Sequence, residues 1–270
     1  MSNISLTASM RSNLLSLQNT QSLMDTTQER LSTGKKVNSA IDNPSSYYTA
    51  QSLNNRASDL SSLLDSMGQA IQTIKAADEG IESITTFAQQ AKAVAQSALD
   101  SSSDTERLAY MDQFNDILTQ INGVAKDSGY KGVNLLNGGN LSVKFNENGT
   151  SKLDIEGKNA TAAGLGLADQ ATDAWKTTGN IETAITKVDA AISSLRSMAS
   201  EFGNNYSIVQ SREDTTENLI NVLTEGADKL TLADMNEESA NMLALQTRQQ
   251  LAINSLSLAS QAAQSVLKLF

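Results

Sequence analysis

The sequence predicts a mainly α-helical fold: an elongated antiparallel helical bundle or coiled coil, with paired N- and C-terminal helices and a small β-hairpin region. Three observations predict it. Aromatic residues make up only 4% of the 270 residues and there is a single proline, which is typical of long helices packed through small side chains. Apolar residues recur at alternating spacings of three and four. A glycine-rich stretch in the middle carries the alternation typical of strands.

The two ends of the chain carry matching apolar stripes. Met10, Leu17, Met24 and Leu31 repeat every seven residues near the N-terminus. Near the C-terminus, a second stripe is interrupted only by Gln249. Its apolar positions are Met235, Met242, Leu245, Ala252, Leu256, Ala259, Ala263, Val266 and Phe270. Because the spacings match, the two ends are candidate partners in a helix pair.

The C-terminal segment is apolar on more than one face. Leu243, Leu251 and Leu258 lie off its stripe, so one partner helix cannot cover it. A large exposed apolar patch on a soluble protein usually marks an interaction site. We therefore expect several copies to assemble through their termini. Since a lone helix is marginal in water, we also expect the N-terminal segment to be disordered in the isolated monomer.

A long second helix follows the first break in the chain. The first helix should end near Gly34, and turn residues fill positions 38–46 around the only proline, Pro44. From Tyr47 the seven-residue pattern returns over about 45 residues, which is a helix of roughly 70 Å. Its apolar positions are Leu53, Leu60, Leu63, Met67, Ala70, Ile74, Ala77, Ile81, Ile84, Ala88, Ala91, Ala95 and Ala98. A helix of this length predicts an elongated architecture.

Two more helices are expected after it, separated by a different kind of structure. A serine-rich break at residues 100–104 precedes a third helix over 105–126, and a fourth helix begins near Gly179. Residues 232–239 form a last break. Between the third and fourth helices, apolar and polar residues alternate on both sides of a turn signal, Asn148-Gly149. This predicts one β-hairpin.

Charge and residue usage argue against several function classes. The net charge of −10 argues against a nucleic-acid partner, and no apolar run is long enough to insert into a membrane. The N-terminus lacks the features of a cleaved secretory signal. The sequence contains no cysteine and no histidine, so it lacks thiolate ligands, the usual metal ligand and the commonest general base.

The acidic residues do not suggest catalysis either. Asp78-Glu79 and Glu237-Glu238 are adjacent pairs, whose members point in different directions on a helix. We interpret them as solvated or capping charges. Because no convergent set of polar groups is visible, we expect no enzyme, no cofactor and no metal site.

Three strings in the chain resemble those of the bacterial flagellins, the subunits of the flagellar filament. Residues 31–44 read LSTGKKVNSAIDNP and resemble the stretch that closes the family's first axial helix. Residues 129–138 read GYKGVNLLNG and resemble its turn before the hairpin. Residues 238–270, with LQTRQQL and SLASQAAQSVLKLF, resemble its C-terminal helix. The resemblance covers nearly the whole chain.

The resemblance implies a structural subunit that polymerises helically into an extracellular filament, the propeller for swimming. Residues 1–44 and 231–270 would form an axial domain, and 45–230 a rod domain with its hairpin at about 129–168. It also implies export without a cleaved signal, unfolded through the flagellar type III channel. The implied partners are further copies of the chain, an export chaperone on the C-terminal segment, the filament cap and the hook-junction proteins.

The sequence departs from the family pattern in two places. The short span 157–179 has no room for surface-variable outer domains, so the chain resembles a minimal flagellin. Flagellins that activate the innate receptor carry a motif that is changed here. Gln89 and Ala91 stand in place of arginines, Lys92 in place of an acid and Ala93 in place of a leucine. We predict weak or no activation of that receptor.

The candidate self-assembly residues are apolar positions on the two terminal stripes: Met10, Leu17, Met24, Leu31, Leu245, Leu256, Val266 and Phe270. Each is equally compatible with a core position inside one chain, because helix seams and subunit interfaces use the same side chains. Two alternative functions stay open, a hook-filament junction protein and a cytosolic coiled-coil binding module. A module would stay a small oligomer, whereas a flagellin elongates onto filament seeds.

Overall fold

A computed structural model describes residues 8–269, without the side chains of Ser9, Ala263 and residues 266–269. It confirms the mainly α class with one small antiparallel hairpin. The helices are α1 (Ala8–Thr33), α2 (Pro44–Asp100), α3 (Asp104–Asp127), α4 (Thr178–Thr231) and α5 (Met235–Leu269). The strands are β1 (Leu141–Lys144) and β2 (Lys152–Ile155), and a short 3₁₀ helix covers Ala174–Lys176.

The chain divides into two compact units. The first unit consists of Met1–Asn55 and Val222–Phe270, and the second of Arg56–Asn221. Helices α2 and α4 each contribute residues to both units. The domain boundaries expected from the sequence, at 44/45 and 230/231, stay a prediction.

The second unit has a continuous apolar core. The seven-residue positions of α2 from Met67 to Ala98 are buried, together with residues of α3, of the hairpin and of α4. Within this core the rings of Phe114 and Trp175 pack with centroids 5.1 Å apart. Gly80 lets α2 approach the turn after α3 closely, because a Cβ there would collide with Ser128 and Leu136. The core of this unit is closed by its own side chains.

The hairpin has the predicted alternation but a longer turn. Leu141 pairs with Ile155 and Lys144 with Lys152, so residues 145–151 form the connecting loop. The amide of Gly149 donates to the carbonyl of Asn146 at 3.1 Å, with Gly149 in the left-handed region at φ 66°. The turn therefore spans residues 146–149, and Asn148-Gly149 is its second half rather than a two-residue connection between paired strands.

In the first unit, the two chain breaks lie side by side. Gly34, at φ 71°, ends α1, and an isolated bridge joins Lys35 to Leu232. The amide of Lys36 donates to the Thr231 carbonyl at 2.7 Å. Helix α2 begins at Pro44, three residues before the expected Tyr47. Proline is tolerated at the first helical position. Asn43 caps the helix, because its side-chain oxygen accepts a hydrogen bond from the Ser46 amide at 3.1 Å.

Candidate assembly surface

Helices α1 and α5 pack against each other in the first unit. The inward positions of both helices form what we call the α1–α5 seam. It contains Met10, Leu17, Thr20, Met24, Thr27 and Leu31 from α1, and Glu238, Met242, Leu245, Gln249, Ala252, Leu256 and Ala259 from α5. Met10, Thr20, Thr27 and Glu238 are buried, and the others are half-buried. The seam thus follows the predicted spacing, except that Met235, the first position of the C-terminal stripe, is 45% exposed.

The seam also contains polar side chains, and sequence reasoning missed most of them. The hydroxyl of the buried Thr20 is satisfied within its own helix, because it donates to the Ser16 carbonyl one turn earlier at 2.8 Å. Gln249, which interrupts the C-terminal stripe, donates from Nε2 to Oε1 of Gln21 on α1 at 2.8 Å. Thr20 and Thr27 are seven residues apart, and this shared spacing is the signal that could have revealed the buried polar positions.

Glu238 corrects one expectation. It was expected to be a solvated or capping charge, but its side chain is only 9% exposed and accepts a hydrogen bond from Nη1 of Arg30 at 2.9 Å. A carboxylate at this depth needs a charged partner, because burial without one is costly. The ion pair therefore joins the end of α1 to the start of α5.

Outside the seam, both helices expose large apolar side chains. The most exposed are Leu15 on α1 and Leu243, Leu251 and Leu258 on α5, the last two at 62% and 67%. Leu14, Leu23 and Ile253 are exposed as well. We call these seven residues the exposed leucine faces. They leave the helix pair with apolar surface that its own partner helix does not cover.

The candidate self-assembly residues lie on the seam and not on the exposed leucine faces. Met10 is buried, and Leu17, Met24, Leu31, Leu245 and Leu256 are half-buried. The side chain of Val266 and all of Phe270 lie outside the described residues. Their role between subunits stays a prediction.

The positions of the altered receptor motif lie on α2 in the second unit. Ala91 is fully buried in the core, whereas Gln89 and Ala93 are exposed. Lys92 is half-buried, and its Nζ lies 2.6 Å from Oδ1 of Asp189 on α4. The structure thus keeps one of the four positions inside the core and engages a second in an ion pair.

The loop between α1 and α2 is fixed by one carboxylate. Oδ2 of Asp42 accepts the amides of Asn38 and Ser39, each at 2.9 Å. The hydrogen bonds from the Ser39 and Asn38 amides lower the pKa of Asp42 below its ordinary value. The loop is therefore held in one conformation while the carboxylate is charged.

Among residues 8–269, acidic side chains form no group of three or more that is arranged to hold a metal ion. Within the same part of the chain, no helix has the length and hydropathy needed to cross a bilayer.

Paired terminal helices with uncovered leucines, joined to a closed helical core, define a class: structural proteins that build assemblies from long helices. Comparison with known proteins gives the family. The model of the bacterial flagellin N-terminal helical region matches residues 4–141, and that of the bacterial flagellin C-terminal helical region matches residues 185–270. The chain belongs to the bacterial flagellins.

Relatives of similar length support this assignment. Flagellin FljM of Caulobacter vibrioides is 30% identical over 262 residues, which is 95% of each chain. A flagellin of Brucella melitensis is 28% identical over 269 residues, again 95% of each chain. Flagellin A of Rhizobium meliloti is 41% identical over 92 residues, which are 34% of this chain and 23% of that one. The chain is thus a minimal flagellin, a structural subunit that polymerises into the extracellular filament used for motility.

Proposed function

We propose that copies of this chain join in the filament through the exposed leucine faces of α1 and α5. The observation that carries this is the exposure of Leu251 and Leu258 on a helix whose opposite side already has a partner. Burying them between copies would remove apolar surface from water, the dominant favourable term in association. Met10, Leu17, Met24, Leu31, Leu245, Leu256, Val266 and Phe270 would support the same contact by shaping the helix pair.

Substitution of the exposed leucines tests this role directly. Leu251→Gln and Leu258→Gln should leave the monomer folded and prevent elongation onto filament seeds, as seen by electron microscopy and sedimentation. Leu219→Gln is the matched control, because Leu219 is a partly exposed leucine of α4 in the second unit. Normal elongation by both α5 variants would contradict the proposal.

Hydrogen exchange provides a second test. If other copies cover the exposed leucine faces, the amides of α1 and α5 should exchange slowly in filaments and much faster in the purified monomer. The amides of the second unit should be protected in both states. Equal protection of α1 and α5 in monomer and filament would contradict the idea that these helices depend on neighbouring copies.

We further propose that an export chaperone binds the C-terminal segment before assembly, and that cap and hook-junction proteins contact the same terminal helices. Export would proceed without a cleaved signal, through the flagellar type III channel. The apolar surface on more than one side of α5 supports a protective partner. Co-purification of the chaperone with the full chain, and its loss when α5 is removed, would test this.

In this proposal the role of the protein is structural and not catalytic. The absence of histidine and cysteine from the sequence supports a structural role.

We also propose weak or no activation of the innate flagellin receptor. The burial of Ala91 supports this, because a partner cannot reach that side chain. The ion pair of Lys92 with Asp189 supports it too, because a receptor would have to replace this contact. A strong response of receptor reporter cells to the purified monomer would contradict it.

A further inference from the structure

One apolar side chain in the first unit projects almost completely into solvent. Ile41 is 93% exposed, although it lies in the loop that Asp42 fixes. Its own amide donates to Oγ of Ser39 at 3.3 Å. A mobile loop could turn such a side chain inward, but these hydrogen bonds hold it outward. The loop therefore presents an isoleucine that gains no burial within its own chain.

The second unit contains a partly apolar groove. It lies between α2 and α4 and has a volume of about 400 Å³. Ile74, Phe202 and Tyr206 contribute its apolar lining. The groove is open at Gly203, where an added Cβ would meet no atom within 4 Å. This space is large enough for an isoleucine side chain.

The charges around the two features differ in net sign. The groove is lined by two exposed acids, Asp78 and Glu79, and by one cation, Lys75, whose Nζ lies 5.7 Å from the centroid of the Tyr206 ring. The segment from Lys35 to Asp42 carries the exposed pair Lys35 and Lys36 against the single carboxylate of Asp42, in a chain of net charge −10. The Lys36 Nζ donates to the Lys229 carbonyl at 3.2 Å, which places it on this surface of the first unit. Opposite charges beside an apolar contact favour one partner and one orientation.

We propose that Ile41 of one copy inserts into the groove of a neighbouring copy, with the lysine pair beside Asp78 and Glu79. The inference rests on the proposed function and adds a second, more specific contact between subunits. Ile41 and the groove are different surfaces, so the contact is heterologous. Contacts of this kind propagate from copy to copy and suit a filament rather than a closed dimer.

Cross-linking tests the pairing, because the natural chain has no cysteine. Filaments of an Ile41→Cys, Gly203→Cys double variant are treated with a short bifunctional thiol reagent and separated on a denaturing gel. The expected result is a ladder of covalently joined subunits. The matched control is Ile41→Cys with Gly123→Cys, since Gly123 is a glycine of α3 that also has open space around it. The control should give no ladder.

Intact filaments without a ladder, or an equal ladder from the control, would overturn the pairing and leave the proposed function standing. A covalent dimer alone would indicate a closed reciprocal contact, and a link within the dilute monomer would place both cysteines in one copy. Either result overturns the proposal. Failure of the natural chain to form filaments would instead contradict the proposed function.

A second pair of variants measures the contact without cysteine. Gly203→Gln places a side chain at the groove and should raise the critical concentration for assembly at least tenfold, because it opposes burial of the isoleucine. It should not destabilise the monomer, since glutamine is a better helix former than glycine. Gly123→Gln is its control. Ile41→Asn should have the effect of Gly203→Gln, and Ile41→Leu should assemble normally. Equal critical concentrations in all four variants would overturn the pairing.

Discussion

The two units use the same seven-residue pattern but bury it to different extents. In the second unit, Ala88, Ala91 and Ala95 of α2 are fully buried. In the first unit, Leu17 and Leu245 occupy equivalent seam positions and are only half-buried, and both helices carry exposed leucines outside the seam. A heptad pattern therefore predicts that a helix has partners but does not say how many, or whether they belong to the same chain.

The difference in burial corresponds to a difference in neighbours. The second unit surrounds α2 with α3, α4 and the hairpin, so that one copy completes the core. In the first unit, α1 and α5 pack against each other, and two helices cannot bury more than one side of each. The second unit should accordingly be stable as a monomer, and the first should gain most of its stability in the filament.

The largest expected effect compares a buried ring with an exposed leucine. Phe114→Ala should lower the free energy of unfolding by about 3–5 kcal/mol, because it leaves a cavity beside Trp175. Leu251→Ala should change it by no more than about 0.5 kcal/mol, yet impair assembly. Urea unfolding, followed by Trp175 fluorescence and circular dichroism, measures both. If the two substitutions destabilised the monomer equally, the comparison would be wrong.

An intermediate effect is expected within the first unit. Arg30→Ala removes the partner of the buried Glu238 and should cost about 1–2 kcal/mol in the assembled state, since the Arg30 side chain is itself 38% exposed. The critical concentration for assembly should rise about 5- to 30-fold. Glu238→Gln keeps an acceptor for Arg30 and should have a smaller effect. An Arg30→Ala variant that assembles at the wild-type concentration would contradict the role of this ion pair.

The smallest effect concerns pH and the loop that carries Ile41. The pKa of Asp42 is lowered in the folded chain, so its charged form stabilises the loop above the unfolded pKa. This contribution is lost as the pH falls through the lowered pKa, which lies below the ordinary aspartate value of 3.8. Protection of the Asn38 and Ser39 amides, measured by NMR, should fall in that range. Asp42→Asn should show no such pH step, whereas a step in both proteins would assign it to another group.

Much of the helical architecture could be predicted because its signals are local. Gly34 and the serines after Asp100 end helices where the sequence places breaks. The less predictable features depend on contacts between distant residues. Trp175 meets Phe114 across 61 positions of sequence, and Arg30 meets Glu238 across 208. No spacing rule relates such positions.

The candidate assembly surface was predicted in part. The sequence indicates that the C-terminal helix is apolar on more than one side. In the structure Leu243, Leu251 and Leu258 are exposed outside the seam, which agrees with this prediction. The candidate residues belong to the apolar stripes, however, and the six of them that the structure describes lie between α1 and α5. The seven-residue spacing identifies side chains that pack against the neighbouring helix of the pair. It therefore identifies residues of the seam and not residues of the outer face. Thr20 and Thr27 were missed because polar residues are not counted in an apolar pattern.

The run of alanines along α2 has a consequence for alignment. Ala88, Ala91, Ala95 and Ala98 present nearly identical methyl groups to their neighbours, so sliding a helix by one heptad would replace one methyl with another. Alanines set how closely the helices approach but give little information about their axial register. That register must depend on a few bulky side chains such as Phe114 and Trp175. Changes at these rings should misalign the helices before they reduce helix content.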